Sequence, residues 1–422
     1  MKRRNFLKAA GAASGVLILK PSIVFATNNN SAVTIGMVGC GNRGSSVIST
    51  MSAHNNINII ALADLFNDKL PVAERRVNGL NAKKGFGAVA KKNIYQGSKA
   101  YQSLINNKEV DAVLISTPGY AHPFILEAAA KAGKHVYSEK PTAIDTNGCK
   151  KFIATGKTLG TKQTAVVGFQ IRYATPYVQM MERIHNGDIG EIISVQLYYF
   201  SSVNPVFRNE KWSRDEMRIR NHFYFNELSG GIYLDQAIHM IDVCNWALGT
   251  TPLYAMGLGG DKGKSDIGNA WTNYQVIYKY PNDINVTVQS SKLGNTFGDV
   301  CARFIGTKGI AEAHYSGGVF INGENGWDCG INRSGTALTP EQIAKGTSNS
   351  SLDDADINKG KSFINAITSG NRLNLLEDGA NSSLSAILGR EAAEKNKTVY
   401  WKDLLAQDAR INPALNLKQF DK

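Results

Sequence analysis

The chain has 422 residues, is 43% hydrophobic and 19% charged, and carries 41 Gly and 16 each of Tyr and Phe. At roughly 150 residues per domain that length suggests two or three domains, and the globular composition excludes a disordered, collagen-like, coiled-coil or wholly membrane-embedded chain. The net charge is +12, but Lys2, Arg3, Arg4, Lys8 and Lys20 all fall before residue 21, and no dense basic stripe interleaved with aromatics is left to bind nucleic acid.

Residues 1–26 read as a signal peptide. Lys2-Arg3-Arg4 is followed by Asn5-Phe6-Leu7-Lys8, then an apolar stretch from Ala9 to Leu19, and Val24-Phe25-Ala26 offers a cleavage site. The stretch is too short to span about 30 Å of hydrocarbon, so no stable membrane anchor is expected. Arg3-Arg4-x-Phe6-Leu7-Lys8 resembles the twin-arginine export motif, which predicts a periplasmic or otherwise exported protein. Residues 27–32 read as a linker. The five cysteines, at 40, 149, 244, 301 and 329, show no CxxC spacing, and their odd number argues against a disulfide framework.

From residue 33 onward, strands and helices alternate. Val33–Gly39, Ile57–Asp64, Val110–Ser116 and Lys134–Ser138 are apolar strand runs, separated by helical stretches near 43–53, after Asp64 and at 121–132. Fully apolar strands alternating with helices predict an α/β domain, a doubly wound parallel sheet over residues 33–160. Beyond residue 165 the pattern changes. Ile192–Phe200, Trp271–Tyr280, Ile284–Ser291, Val300–Ile305 and Ile310–Tyr315 alternate, with turn residues at Pro281-Asn282-Asp283 and Gly306–Gly309. They predict a second α/β domain, 161–422, with a large, open, mostly antiparallel sheet. Helical periodicity returns at 358–369 and 379–395, in helices expected to pack back on the first domain.

Gly39-Cys40-Gly41-Asn42-Arg43-Gly44 is a G-x-G-x-x-G loop between a strand and a helix, and Asp64 ends the next strand twenty residues after Gly44. The first glycine permits the turn, the second lets backbone approach a pyrophosphate, and the third allows close helix packing. An acid at Asp64 accepts from a ribose 2′-hydroxyl and repels a 2′-phosphate. NAD is therefore expected ahead of NADP, with Gly39, Gly41, Asn42, Arg43, Gly44 and Asp64 in its site.

Ser138-Glu139-Lys140-Pro141 follows the fourth strand run, at the carboxyl edge where such sheets bind ligands. Farther on, Gly230-Gly231 precedes Asp235, His239 and Asp242, which fall on one stripe of a helix. The stripe could be a satisfied polar face. No third strong ligand cluster accompanies it, so no metal is expected.

The glycine loop, Thr117-Pro118, Ala132-Gly133-Lys134-His135-Val136, Glu139-Lys140-Pro141 and GGxxxDxxxH occur in this order and together resemble the Gfo/Idh/MocA oxidoreductases over residues 33–250. The resemblance implies a Rossmann domain followed by an α/β domain whose sheet forms the contact in a homodimer or homotetramer. It places Lys140 beside the nicotinamide and on the reacting hydroxyl, with Asp235 and His239 as the family's acid and histidine. In that chemistry neutral His239 takes the hydroxyl proton, Asp235 orients its ring, and Lys140 polarises or shares the proton. Lys140 or His239 could serve as the base.

Thr117, Pro118 and Glu139 join the expected cofactor site. His122 belongs there too, as a cofactor contact or as helix-start packing. Gln170 and Arg172 follow a strand of the second domain and are candidates for substrate contact. Trp212, His222 and Tyr224, in a long insertion before the double glycine, offer the stacking and hydrogen bonding a sugar needs. The function expected is an exported NAD(P)-dependent oxidoreductase acting on a sugar or sugar derivative. Alternatives are an NAD-dependent glycoside hydrolase working by transient oxidation, and a non-catalytic, cofactor-loaded sugar-binding protein.

Overall fold

The computed structural model describes residues 32–294, 298–333, 339 and 350–421. The expected signal peptide, with Arg3 and Arg4, lies outside the described residues. Six strands form the first sheet: β1 (Val33–Val38), β2 (Ile57–Asp64), β3 (Ile94–Gln96), β4 (Ala112–Ile115), β5 (His135–Ser138) and β6 (Ala165–Val167). They lie in the order β3-β2-β1-β4-β5-β6, all parallel. Between them run α1 (Asn42–His54), α2 (Lys69–Ala82), α3 (Ala100–Asn106), α4 (His122–Lys131) and α5 (Thr146–Thr158). Every residue of β4 is buried, because helices cover both faces of the sheet. Strand order reverses between β1 and β4, which opens a crevice at their carboxyl ends.

Two strands differ from the sequence expectation. β3 has only three residues, too few to show a pattern. β6 is the apolar triplet Ala165-Val166-Val167, which the sequence pattern assigns to the second domain. Such a triplet reads alike in either sheet, and its pairing with β5 places it in the first.

The second sheet is built from β7 (Ile192–Ser201), β8 (Tyr254–Gly260), β9 (Asn273–Lys279), β10 (Asn285–Lys292), β11 (Asp299–Gly306), β12 (Gly309–His314), β13 (Val319–Gly323), β14 (Trp327–Asp328) and β15 (Val399–Tyr400). Their order is β14-β13-β12-β11-β7-β10-β9-β8-β15. Every neighbouring pair is antiparallel except β7 and β10. The alternation seen in the sequence is the pleat itself: Tyr274, Val276 and Tyr278 of β9 turn inward while Gln275 and Ile277 face out. The turn between β9 and β10 holds Asn282 and Asp283 at φ 58° and 62°, left-handed geometry that Asn and Asp tolerate.

The helices of this half are α6 (Thr175–His185), α7 (Arg214–Arg220), α8 (Ile238–Leu248), α9 (Ala355–Thr368), α10 (Leu376–Glu394) and α11 (Trp401–Ala406). α9 packs on α1, and α10 lies against both α5 and strands β8 and β9. α10 is therefore buried on several sides and shows no single apolar stripe. It fits through small residues; a Cβ on Gly389 would meet the Tyr278 hydroxyl at 2.0 Å. One apolar cluster runs from Val113 and Phe152 under the first sheet to Val276 and Phe304 under the second, so both halves share a core.

Candidate active site

A cavity of about 750 Å³ opens at the carboxyl ends of β1 and β4. At one end lie the glycine loop and Asp64; at the other lie Lys140, Asp235 and His222. The loop geometry follows from its glycines. Gly39 sits at φ +92°, where a Cβ would come 2.5 Å from the Ser116 carbonyl oxygen; on Gly44, a Cβ would press on the Gly39 carbonyl oxygen at 2.4 Å. Around Gly41 there is open space. α1 begins at Gly41 with no side-chain cap and no acid in its first turn, so its first N–H groups remain available to an anion. Asp64 Oδ2 accepts the Cys40 N–H at 2.7 Å and Oδ1 accepts the Phe66 N–H at 2.8 Å. Burial pushes the Asp64 carboxyl upward, against those two hydrogen bonds. Thr117 and Pro118 line the cavity, and the buried Thr117 hydroxyl has no partner. An uncapped helix start, an open glycine, a carboxylate at the strand end and an unpartnered hydroxyl fit a dinucleotide.

Arg43 and Glu139 line the cavity, but the guanidinium is committed elsewhere. Arg43 Nε donates to Glu139 at 3.0 Å, and its terminal nitrogens donate to Gln170 at 3.1 Å and Asp356 at 2.9 Å. Lys359, 1% exposed, also binds Asp356. This network ties α1, the end of β5, the start of the second domain and α9 together beneath the cavity. Sequence reasoning missed Asp356 and Lys359, which lie in a helix without a motif. Gln170 is held by Arg43. Arg172 donates twice to Asp242, at 2.8 and 2.9 Å, in a buried pair that also receives the Ser382 hydroxyl. Neither Gln170 nor Arg172 reaches the cavity wall, so the geometry gives them a bracing position in place of the expected substrate contact.

His122 is also turned away from the cavity. Its Nδ1 lies 2.7 Å from the Pro141 carbonyl oxygen and its Nε2 2.7 Å from that of Thr117. Both ring nitrogens face carbonyl oxygens of the two cavity loops, and the neutral ring can donate to only one of them; His122 takes the helix-start packing position in place of the cofactor contact.

Lys140 Nζ donates to the backbone carbonyl of Asp235 and, at 3.1 Å, to its Oδ1. Lys292, at the end of β10, lies 3.5 Å from Asp235 Oδ2. Burial alone would raise the Asp235 pKa, but the two lysines outweigh it and hold it down to about 2. Asp235 therefore stays ionised. Sequence reasoning missed Lys292, the last residue of an ordinary alternating strand.

His239 follows a π-helical turn, Tyr233–Ala237, that leads into α8, where a regular helix was expected. The wider turn changes how Asp235 and His239 face each other. Asp235 serves the lysines, and His239 Nδ1 has no hydrogen-bond partner, so the expected orienting bond between them is absent. The ring is held by packing instead. It stacks on Tyr199 at 6.2 Å between centroids, with Phe169 and Tyr315 edge-on at 6.3 Å. Burial and the Lys140 charge push the imidazole pKa well below its usual value, so the ring is neutral.

Trp212 and His222 line the cavity. His222 Nδ1 lies 3.2 Å from the Ile219 carbonyl oxygen. A carbonyl can only accept, so Nδ1 carries the proton and Nε2 is the acceptor. Tyr224 donates its hydroxyl to the Asn204 carbonyl and faces a separate cavity of about 30 Å³. It is therefore outside the main site, contrary to expectation.

Comparison with known proteins matches residues 33–169 to the oxidoreductase family described as having an NAD-binding Rossmann fold, and residues 177–312 to the GFO/IDH/MocA C-terminal domain. An inositol 2-dehydrogenase/D-chiro-inositol 3-dehydrogenase of Lactiplantibacillus plantarum is 29% identical over 213 residues, 50% of this chain and 51% of that protein. A glycosyl hydrolase family 109 protein of Solibacter usitatus is 29% identical over 163 residues, 39% of this chain and 36% of that one. The chain thus spans about half or less of the length of these two relatives. A solved levoglucosan dehydrogenase, in complex with NADH and levoglucosan, superimposes with a TM-score of 0.67 at 20% identity, covering 88% of this chain and 99% of the other. At that identity the likeness is one of fold.

Proposed function

The chain belongs to the Gfo/Idh/MocA oxidoreductases and carries their NAD-binding Rossmann domain, and from that premise we propose that it is an exported dehydrogenase oxidising a secondary hydroxyl of a sugar or polyol. The observation that carries the reading is the single cavity running from the glycine loop and Asp64 to the Lys140–Asp235 pair. Gly41 and the start of α1 would hold the pyrophosphate, and Asp64 the adenosine ribose.

Bound NAD supplies the hydride acceptor. The chain's own residues manage the proton and the orientation. The Lys140 ammonium, fixed by Asp235, donates a hydrogen bond to the reacting hydroxyl oxygen and favours the developing negative charge there. Neutral His239 lies close to Lys140 and Asp235 but, unlike them, off the cavity wall; it is the group proposed to take the hydroxyl proton. His222 contacts the sugar on the insertion side, whereas Trp212, with Arg220 between it and Phe66, stands at the adenosine end.

A second reading rests on the similarity to the glycosyl hydrolase family 109 protein. Transient oxidation next to an acidic C–H would permit elimination, water would add, and the cofactor would be reset in the same turnover. Mixing the NAD-loaded protein with a panel of free polyols, sugars and aryl glycosides separates the two. A keto product with reduced nicotinamide supports the dehydrogenase. Aryl alcohol release without net reduction supports the hydrolase.

The outer face of the second sheet supports self-association. Met256 and Leu258 of β8 and Ile277 of β9 are exposed on it, and Met256 pairs with Ile277 across the strands. A homodimer or homotetramer through this face is the assembly proposed, and light scattering on the eluting protein tests it.

A further inference from the structure

We propose that residues 411–421 form a strap that shuts the adenosine end of the cavity and makes NAD a resident ligand; the inference rests on the cofactor reading above. The strap begins at the start of α5, where Asp145 Oδ2 accepts the Ile411 N–H at 2.8 Å. It then crosses α7, in the insertion of the second domain. There Arg218 donates to the Pro413 and Ala414 carbonyls at 2.8 and 3.3 Å, and Asp215 Oδ2 accepts from the Asn416 N–H at 2.8 Å. It ends on the loop after β3. Gln96 Nε2 donates to the Phe420 carbonyl at 2.8 Å, and the Asp421 carboxylate takes the N–H and O–H of Ser98 at 2.6 and 2.8 Å. One segment, ending in a short 3-10 helix at Leu417–Phe420, thus sews the Rossmann domain to the insertion across the mouth of the cavity.

Its side chains complete the wall. Leu417 lines the cavity, and Phe420 meets Phe66 edge-on at 5.2 Å, two residues beyond Asp64. From the insertion, Arg220 lies 4.1 Å from the Phe66 ring and 4.7 Å from that of Trp212, and pairs with Asp68. Planar apolar groups beside a ribose-binding carboxylate suit an adenine ring. Each strap hydrogen bond is weak in water, but a dinucleotide can leave on this side only when several break together. For a protein working away from a nicotinamide pool, slow release keeps the enzyme loaded.

The test measures dissociation of radiolabelled NAD from the full-length chain after a chase with excess unlabelled NAD. Deletion of residues 411–422 should speed release at least about tenfold. The double variant Phe420→Ala/Asp421→Ala leaves the α7 contacts in place and should speed release in the same direction. It carries the test if the deletion proves unstable in a melting curve. Folded, NAD-loaded double variant releasing NAD at the wild-type rate would overturn the strap. Failure of the full-length chain to bind NAD at all would overturn the cofactor reading together with it.

Discussion

Lys140 Nζ bonds Asp235 twice, through the backbone carbonyl and, at 3.1 Å, through Oδ1, so a Rossmann-domain side chain is clamped to a residue of the second domain. The clamp fixes the ammonium at the inner end of the cavity and keeps Asp235 ionised. A carboxyl lowered from 3.8 to about 2 on folding adds stability above its ordinary pKa and loses it as pH falls toward the lowered value, by about 2 kcal/mol at most. Asp235→Asn should therefore melt lower than wild type at neutral pH, with the gap closing at strongly acidic pH. Melting curves across pH check this; a gap that does not change with pH would contradict it. Turnover of the variant should also fall, because Lys140 loses its anchor.

Asp64 is proposed to set the choice between nicotinamide cofactors. Its carboxylate lies at the end of β2 beside the glycine loop, where a 2′-phosphate would meet like charge. Asp64→Ala should raise the affinity for NADP relative to NAD by at least about tenfold. Titrating both cofactors into wild type and variant gives the ratio, and an unchanged ratio removes the role assigned to Asp64.

Export is proposed to depend on Arg3 and Arg4. Changing both to Lys keeps the charge but removes the pair that the export motif requires. The mature protein should then accumulate inside the cell. Its appearance outside at the normal level would make the segment a general secretory signal.

Two histidines compete for the proton. His239 is neutral and has an unpartnered Nδ1, whereas His222 lies in the cavity wall with Nε2 as acceptor. His239 is proposed to take the proton, although of the two only His222 lines the cavity. His239→Ala should lower kcat by about 10² to 10⁴ with NAD content intact. His222→Ala should mainly raise KM for the sugar. The reverse pattern would move the base to the insertion.

The parts legible in the sequence were local ones. The glycine loop, Asp64, Lys140 and the double-glycine segment each hold their chemistry within a few residues. The parts that were not legible depend on partners far along the chain. The sequence places Arg43 in the cofactor site because nothing nearby reveals Asp356, which lies in α9. His122 stays open in the sequence between a cofactor contact and helix-start packing, because the two carbonyl oxygens it faces, at Thr117 and Pro141, come together only in the fold. The Asp235–His239 stripe assumed 3.6 residues per turn, and the π-helical turn breaks that spacing. Lys292 and the C-terminal strap carry no pattern at all.

The most direct test of the account is the rate at which an accepted sugar or polyol reduces the resident NAD in Lys140→Met, followed in a single turnover with cofactor content measured on the same sample. The variant should fold, keep its NAD, and reduce it about 10² to 10⁴ times more slowly than wild type. A folded, fully loaded Lys140→Met that reduces its NAD at the wild-type rate would contradict the claim that the Lys140–Asp235 end of the cavity carries the chemistry.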